Sequence, residues 1–303
     1  MKTYHDIPHD GGSNVAGQVT DQTNRLQARL ATVRHTVAVM SGKGGVGKSS
    51  VTVNLAAALV QEGHAVGIMD ADINGASIAR MTGLRNTSSE RGATGYRPAE
   101  DALGIRVMSI DLFLPDATAP VLWDAPTQHD AIAWRGLMEK NALREFLSDT
   151  EWGALDYLLI DLPPGTDKLP NLVDLLPRLS GTLVITLPTA VSHFVVGKSV
   201  TMAKTLLQTP VIGLVENMSG FVCAHCGQEE ALFPGSRTEQ MARDFEIPFL
   251  GAIPFDPRMA LSADAGVPFM DRYHETPAAQ AVRRLAAEVS RFLNQKVSVP
   301  ANP

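Results

Sequence analysis

Short apolar runs alternate with longer amphipathic or alanine-rich segments along most of the chain. An apolar, β-branched run of roughly four to eight residues predicts a buried strand, and a longer run with one apolar face predicts a helix. Strands are predicted at 36–40, 65–69, 104–110, 156–161, 182–187 and 211–215. Helices are predicted at 50–61, 136–149, 169–180, 191–208 and 277–294. The alternation predicts a doubly wound α/β fold with a mostly parallel sheet flanked by helices.

Three segments fall outside this alternation. Residues 1–34 are interpreted as a flexible leader because their first part is rich in Gly, Asp, His and Asn, although 21–34 could form a short helix. The prolines within 111–133 predict irregular structure. Residues 296–303 are expected to form a disordered tail, so the folded domain is predicted to span 35–295.

Composition and charge narrow the classes of function. The chain has 303 residues and is 45% hydrophobic, which is enough for a large core, and its net charge of −6 disfavours a general nucleic-acid binder. No apolar run approaches the roughly 18 residues that a membrane span needs. The amino-terminal residues contain no apolar signal region, so we expect a cytoplasmic protein with no nucleic-acid or membrane partner.

The stretch 41–50 carries the strongest motif of the chain, S-G-K-G-G-V-G-K-S-S. It fits the phosphate-loop pattern G-x-x-x-x-G-K-[ST] and lies between a predicted strand and a predicted helix, as a nucleotide site requires. Glycines let backbone N–H groups approach phosphate oxygens, the lysine supplies a positive charge, and the serine can ligate Mg²⁺. The predicted phosphate-binding residues are Gly42, Gly44, Gly45, Val46, Gly47, Lys48, Ser49 and Ser50.

Two of the predicted strands end in acidic residues. Asp70 and Asp72 follow the second predicted strand, and Asp161 ends the fourth. Because open parallel sheets bind ligands at the carboxyl ends of their strands, these acids are candidates for Mg²⁺ binding and water positioning. Asp161, in the Walker B arrangement, and Ser49 are the predicted Mg²⁺ ligands. A solvated acidic turn remains the alternative for Asp70 and Asp72.

Cys223 and Cys226 are the only cysteines of the chain. In a reducing compartment a single C-x-x-C pair indicates metal, cluster or redox chemistry more often than a structural disulfide. An iron–sulfur cluster, a zinc ion and a loop without metal all remain open on the spacing alone.

Four segments of this chain resemble the motifs of the Mrp/ApbC-type iron–sulfur cluster carrier ATPases. This family belongs to the MinD/nitrogenase-iron-protein class. The segments are K-G-G-V-G-K-S at 43–49, D-A-D-I-N-G-A-S at 70–77, D-L-P-P-G-T at 161–166 and E-N-M-S-G-F-V-C-A-H-C at 216–226. The resemblance spans about 36–270 and implies a P-loop ATPase domain with a deviant Walker A loop.

This resemblance implies a scaffold that binds and hydrolyses ATP, holds a [4Fe–4S] cluster and transfers it to apo iron–sulfur proteins. The catalytic residues would be Lys43, Lys48 and Asp72. In such proteins the extra lysine of the loop, here Lys43, reaches the partner's nucleotide across a dimer interface. Asp72 would orient the attacking water.

The resemblance also assigns the remaining nucleotide contacts. The N–H of Gly165 would sense the γ-phosphate, Asn217 would read the adenine, and the segment around Pro254 would close the base pocket. Together with the phosphate loop, Asp161 and Mg²⁺, these residues complete the expected ATP site.

Two thiolates cannot fill a four-sulfur site, so the resemblance implies a homodimer in which Cys223 and Cys226 of both copies bridge one [4Fe–4S] cluster. Zinc is the rival occupant, because it also accepts four thiolates. The rival function is a ParA/MinD-like positioning ATPase, which shares the phosphate loop and Lys43 but needs no cysteines.

The chain departs from the family pattern at a few positions. Ala76 and Ala224 stand where proline is usual, Lys168 stands where an acid is usual, and residues 124–133 form an insertion of unassigned purpose. Near the γ-phosphate, Lys168 is expected to disturb the water and Mg²⁺ network, so that Lys168→Asp would speed hydrolysis a few-fold. A solvent-facing lysine without effect is the alternative.

Overall fold

The computed structural model of the chain describes residues 15–116, 119, 121, 128–223, 226 and 228–297. Within these residues, nine strands form one sheet, two more form a small separate ribbon, and helices cover the large sheet. The strands are β1 Val33–Ser41, β2 Val66–Asp70, β3 Glu90–Arg91, β4 Tyr96–Arg97, β5 Ala99–Glu100, β6 Arg106–Met108, β7 Leu155–Asp161, β8 Gly181–Thr186, β9 Val211–Val222, β10 Glu229–Ala231 and β11 Phe249–Phe255. The predicted doubly wound α/β fold is confirmed.

The helices occupy most of the connections between these strands. They are α1 Val15–Leu30, α2 Lys48–Gln61, α3 Ile78–Met81, α4 Gln128–Asp149, α5 Leu169–Leu175, α6 Ala190–Thr201, α7 Thr238–Asp244, α8 Pro257–Ala265, α9 Phe269–Arg272 and α10 Pro277–Val297. A 3₁₀ turn at Ile110–Phe113 follows β6, and α6 continues into a π-helical turn at Met202–Leu206. None of the helices described is long and apolar enough to cross a membrane.

The strand order is β10-β9-β8-β1-β7-β2-β6-β5, and β11 pairs with β9. Within the large sheet, all pairings are parallel except those of the short strands β5 and β10 with their neighbours. The chain leaves β1 for β2 on one side, returns to β7 between them, and then continues to β8 on the other side of β1. The order of the strands therefore reverses beside β1, which places the loops that follow β1, β2 and β7 at the same edge of the sheet.

Alternate residues of β1 enter two different apolar clusters, one on each face of the sheet. Val37 and Val39 pack in the cluster that contains the buried sides of α2 and α10. Ala38 and Met40 pack in the cluster that contains residues of α1, α4 and α5. Because the second half of β1 is buried on both faces, residues 37–40 form a continuous apolar run, as in other central parallel strands.

The prediction of a flexible leader at 1–34 is wrong for its second part, where the structure has the helix that was the alternative for 21–34. Residues Val15–Leu30 form α1, and β1 already begins at Val33. Most of this segment is polar, but Leu26 is buried. Arg29 donates hydrogen bonds to the carbonyl oxygens of Ser148 (3.3 Å) and Thr94 (2.7 Å). Tertiary contacts with α4 thus order a segment whose local pattern is weak. Residues 1–14 lie outside the described residues.

Other boundaries also differ from the predictions, and the helix predicted at 169–180 ends at Leu175. The stretch predicted to be irregular includes the start of α4 at Gln128, two residues after the last proline of that stretch, so the second part of the 124–133 insertion is helical. Residues 124–127 lie outside the described part. The predicted tail begins inside α10, which extends to Val297, and 298–303 are not described. The predicted strand at 211–215 continues to Val222 because β10 and β11 pair with its second half.

Leu26→Ala tests whether α1 belongs to the folded core. Leu26 is buried in the same apolar cluster as Leu143 and Leu147 of α4, so the substitution is expected to lower the free energy of unfolding by about 2 kcal/mol or more. Alanine is a good helix former, so the loss reports packing and not helix propensity. Urea unfolding measures the difference, and the exposed neighbour Gln27→Ala is the matched control. Equal midpoints for the two variants would show that α1 adds nothing to the core.

Candidate functional site

The phosphate loop joins β1 to α2 in the strand–loop–helix geometry that the motif requires. Gly45 and Gly47 have φ angles of 77° and 80°, which lie in the left-handed region that side chains disfavour. Gly47 is also the N-cap of α2, and a Cβ atom there would collide with the side-chain amide of Asn217. The loop therefore needs glycine at this position for its backbone turn and for the close approach of a neighbouring strand.

A buried cluster of hydrogen bonds lies directly behind the loop, around the carboxylate of Asp161. Lys48 Nζ and Ser49 Oγ donate to Asp161 Oδ2 at 2.5 and 2.6 Å, and Thr52 Oγ1 donates to Asp161 Oδ1 at 2.7 Å. Asp161, Thr52 and Lys48 are buried. The structure thus brings together the predicted residues Lys48, Ser49 and Asp161 around one shielded negative charge.

Thr52 is a member of this cluster that the motif does not include. Its hydroxyl also lies 3.0 Å from the carbonyl oxygen of Lys48. A hydroxyl carries one proton, and the charged carboxylate is the stronger acceptor of the two. The sequence signal was the spacing: Thr52 follows Lys48 by four residues in α2, so both side chains lie on the same side of the helix.

Asp70 and Asp72 have different environments, although both follow β2. Asp70 is buried opposite Asp161 in the sheet register, and it accepts hydrogen bonds from the N–H groups of Ser77 (2.9 Å) and Ile78 (3.1 Å). Burial and then the negative charge of Asp161 raise the pKa of Asp70 to about 7. Asp70 therefore shapes the loop that carries Asp72, and the interpretation of both acids as a solvated turn fails for Asp70.

Asp72 is half-buried in the loop between β2 and α3. Burial raises the pKa of its carboxyl, and the positive charge of Lys48 opposes this effect. The predicted role of Asp72 in water positioning remains a prediction.

The loop after β7 contacts the phosphate loop through its backbone. Gly165, with φ of 116°, donates its N–H to the carbonyl oxygen of Ser41 at 3.0 Å. The N–H predicted to sense the γ-phosphate is therefore part of the contact between the two loops. Lys43 is half-buried, and the Ser41 hydroxyl donates to its carbonyl oxygen at 3.0 Å.

Lys168 has partners that neither sequence-based alternative included. Its Nζ atom lies 2.9 Å from Glu139 Oε2 of α4 and 3.2 Å from Asp167 Oδ2. The lysine is thus paired with two acids, one of them on a helix outside the two loops.

Asn217 reaches the phosphate loop from the middle of β9. Its Nδ2 atom donates to the carbonyl oxygen of Val46 at 2.8 Å, and its side chain is buried. In the register of β9 and β11, Asn217 lies opposite Ile253, so the buried Pro254 is its near neighbour. The two residues predicted to surround the base therefore lie together beside the loop.

The cysteines lie where β9 turns back towards β10. Cys223 follows the last residue of β9 and is half-buried, whereas Cys226 is exposed, and the two thiols do not form a disulfide. The N–H of Cys223 donates to the Gln228 carbonyl at 2.9 Å, and Cys226 Sγ lies 3.8 Å from Gln228 Oε1. Ala224, His225 and Gly227 lie outside the described residues. In the part of the chain that is described, no three His, Cys, Asp or Glu side chains converge as a metal site would require.

The glycine-rich loop, the helix that starts at its lysine and the Walker B carboxylate together define a phosphate-loop NTPase. A family model described as NUBPL iron-transfer P-loop NTPase, of the ParA group, matches residues 32–133 and 125–290. The chain belongs to this family, which confirms the family assignment made from the motifs.

Several named proteins are similar over most of this chain. An iron-sulfur cluster carrier protein of Methanocaldococcus jannaschii is 42% identical over 253 residues, which are 83% of each chain. The cytosolic Fe-S cluster assembly factor NUBP2 of Bos taurus is 40% identical over 267 residues, or 86% of this chain and 93% of that protein.

Solved structures have a similar fold. A nucleotide-binding protein of Archaeoglobus fulgidus in complex with ADP has a TM-score of 0.68 and 36% identity, and the match covers 80% of this chain and 91% of that one. The cell division ATPase MinD of Pyrococcus furiosus has a TM-score of 0.58 at 20% identity, with 86% and 99% of the two chains covered. At that identity the likeness to MinD shows the shared fold alone.

Thr52→Val tests the contribution of Thr52 to the buried cluster. The substitution keeps the shape of the side chain but removes a hydrogen bond to a buried carboxylate, so the free energy of unfolding is expected to fall by about 2 kcal/mol. The matched control is Thr182→Val in β8, because the buried Thr182 hydroxyl has no hydrogen-bond partner among the described residues. Replacing that hydroxyl is expected to be neutral or stabilising. Equal destabilisation of the two variants in denaturant unfolding would refute the role of Thr52.

Proposed function

We propose that this protein is a cytoplasmic, ATP-hydrolysing scaffold that holds a [4Fe–4S] cluster as cargo and transfers it to apo iron–sulfur proteins. The observation that carries the proposal is the path of β9. This strand contacts the phosphate loop through Asn217 and leads directly into Cys223 of the C-x-x-C pair. The names of the relatives, which include cluster carrier and cluster assembly proteins, agree with this pairing of a nucleotide site with a thiolate pair.

ATP would bind with its phosphates in the loop that precedes α2. The backbone N–H groups of the loop and the positive end of α2 would face the phosphate oxygens. Lys48 would exchange its bond to Asp161 for the β- and γ-phosphates, as the lysine of this motif does. One N–H of the Asn217 amide is bonded to the Val46 carbonyl, and the other N–H and the amide oxygen would contact the adenine. Pro254 would close the base pocket.

The donor set beside the loop fits Mg²⁺. The Ser49 hydroxyl and the Asp161 carboxylate lie 2.6 Å apart, and both are the hard oxygen ligands that Mg²⁺ prefers. The ion, when bound, neutralises charge on the β- and γ-phosphate oxygens. Thr52 would keep Asp161 oriented through the second carboxylate oxygen.

Hydrolysis would then depend on three residues of the chain. Asp72 would position the attacking water, and its raised pKa makes it a better proton acceptor than an exposed aspartate. Lys48 would stabilise the charge that develops on the γ-phosphate, and Lys43 would do so from the second copy of a dimer. The N–H of Gly165 would leave Ser41 for the γ-phosphate and so report the nucleotide state.

A homodimer would complete the cluster site, because one chain supplies two thiolates and a [4Fe–4S] cluster needs four. An apolar surface next to the phosphate loop supports a second copy on this face. Val191 and Phe194 of α6 are 67% and 69% exposed, and Val195 packs so closely on the loop that a Cβ atom on Gly42 would lie 2.8 Å from it. Large exposed apolar side chains that lie together commonly mark protein interfaces.

Cluster binding is tested by anaerobic reconstitution of the full chain. The wild type is expected to become brown and to hold about two iron ions per chain, which is one cubane cluster per dimer. Cys223→Ser and Cys226→Ser should each lose the colour and most of the iron, and Lys48→Ala, which leaves the thiolates intact, is the control that should retain both.

Two other outcomes would refute the cluster assignment. A colourless protein with about one zinc ion per dimer would indicate the tetrahedral thiolate site. A dimeric protein without bound metal would favour a positioning ATPase.

Asp72→Asn tests the assignment of the catalytic residues. Water positioning matters for the chemical step alone, so ATP affinity should be unchanged while single-turnover hydrolysis falls roughly a hundredfold. Lys48→Ala supplies the background, because it removes the cation that faces the phosphates and should abolish hydrolysis. A wild-type rate in Asp72→Asn would remove this residue from the mechanism.

A further inference from the structure

The carboxylate of Glu139 on α4 accepts hydrogen bonds from two different loops of the nucleotide site. Asn74 Nδ2 donates to Oε1 at 2.7 Å, and Lys168 Nζ donates to Oε2 at 2.9 Å. We name these three side chains the Glu139 bridge. Each oxygen of the carboxylate serves one loop, and a glutamine in the same place would lack the negative charge that pairs with Lys168.

The two ends of the Glu139 bridge lie close to the residues assigned to hydrolysis. Asn74 is two residues beyond Asp72 in the loop after β2, and Lys168 is three residues beyond Gly165 in the loop after β7. The two loops leave adjacent strands of the sheet, since β2 pairs with β7. The pairing of β2 with β7 connects the two loops where they begin, and the Glu139 bridge connects them again beyond the ends of these strands.

The ion pair within the Glu139 bridge is partly shielded from water. The side chain of Glu139 is 13% exposed and that of Lys168 is 26% exposed. Burial lowers the pKa of Lys168, but the hydrogen bonds and charges of Glu139 and Asp167 outweigh it, so the pKa lies above the ordinary value and the lysine remains charged. A charge pair in this environment is stronger and less screened by salt than one on an open surface.

The charge of Glu139 also reaches the catalytic loop. Burial is the main cause of the raised pKa of Asp72, and the negative charges of Asp161 and Glu139 add to it against the opposing charge of Lys48. Glu139 is thus electrostatically close to the carboxylate assigned to the attacking water.

We propose that Glu139 is a positioning residue for ATP hydrolysis, which holds the loop that carries Asp72 in register with the loop that carries Gly165. This inference rests on the proposed ATPase function. The water-positioning carboxylate and the γ-phosphate sensor must act on the same phosphate, and a small misplacement of one relative to the other is costly in rate. The phosphate loop itself is untouched by the bridge, so ATP binding does not depend on it.

Kinetics of the full chain test the inference. Glu139→Gln and Lys168→Met are each expected to lower kcat about fivefold and to leave the KM for ATP within about twofold of the wild type. The double variant should be no slower than the single ones, because both break the same bridge. Lys140→Gln is the matched control: it breaks a 2.7 Å ion pair between the next residue of α4 and Asp174 of α5, which does not join the two loops.

Lys168→Asp separates this inference from the expectation drawn from sequence. The sequence-based hypothesis predicts faster hydrolysis, because it places the lysine near the γ-phosphate. The Glu139 bridge predicts slower hydrolysis, because an aspartate at 168 would face Glu139 with the same charge. Acceleration would overturn the inference.

Hydrogen exchange gives a readout that requires no hydrolysis. Glu139→Gln should increase amide exchange in both loops, 71–77 and 162–168, and Lys140→Gln should leave both unchanged. Unchanged exchange in either loop, a wild-type kcat, or additive losses in the double variant would overturn the inference. If the wild type hydrolyses no more ATP than Lys48→Ala, the proposed ATPase function fails instead, and the exchange data show whether the bridge exists without it.

Discussion

The buried carboxylate of Asp161 is the group on which the nucleotide site depends. A fully buried charge is stable only if hydrogen bonds and opposite charge surround it, and here Lys48, Ser49 and Thr52 provide both. All three belong to the first turns of α2, and Asp161 ends β7. The hydrogen bonds to this one carboxylate therefore hold the start of α2, and with it the phosphate loop, against the sheet without a ligand.

The strand order explains why so many functional groups meet at one edge. Since β1 lies between β7 and β8, and β2 pairs with the other side of β7, three loops that are distant in sequence follow three neighbouring strands. The first loop carries the phosphate-loop motif, the second carries Asp72, and the third carries Gly165 and Lys168. The Glu139 bridge adds a helix to this arrangement, so that the second and third loops are constrained at both ends.

The features that follow from short motifs were predictable from sequence. Gly47, Lys48 and Asp161 belong to local patterns whose chemistry dictates their spacing, and the alternation of apolar runs predicted the sheet and its flanking helices. The features that depend on tertiary packing were not predictable. The order of α1 depends on the burial of Leu26 against other helices, and the length of β9 depends on pairing with strands later in the chain. The contact between Glu139 and Lys168 joins side chains that no local pattern relates.

The path of β9 has a geometric consequence for the thiolate pair. Asn217 is held at the phosphate loop, and Cys223 lies six residues further along a strand whose rise is about 3.3 Å per residue. The cysteine is therefore at the end of an arm of at most about 20 Å, because Met218, with φ of 57°, departs from extended geometry, and the fixed point of that arm is next to the proposed site of ATP hydrolysis. A tilt of about 5° at the fixed point would displace the tip by roughly 2 Å, which is comparable to the length of an iron–thiolate bond. Small rearrangements around the phosphates would thus be enlarged into movements on the scale at which metal–sulfur bonds form and break.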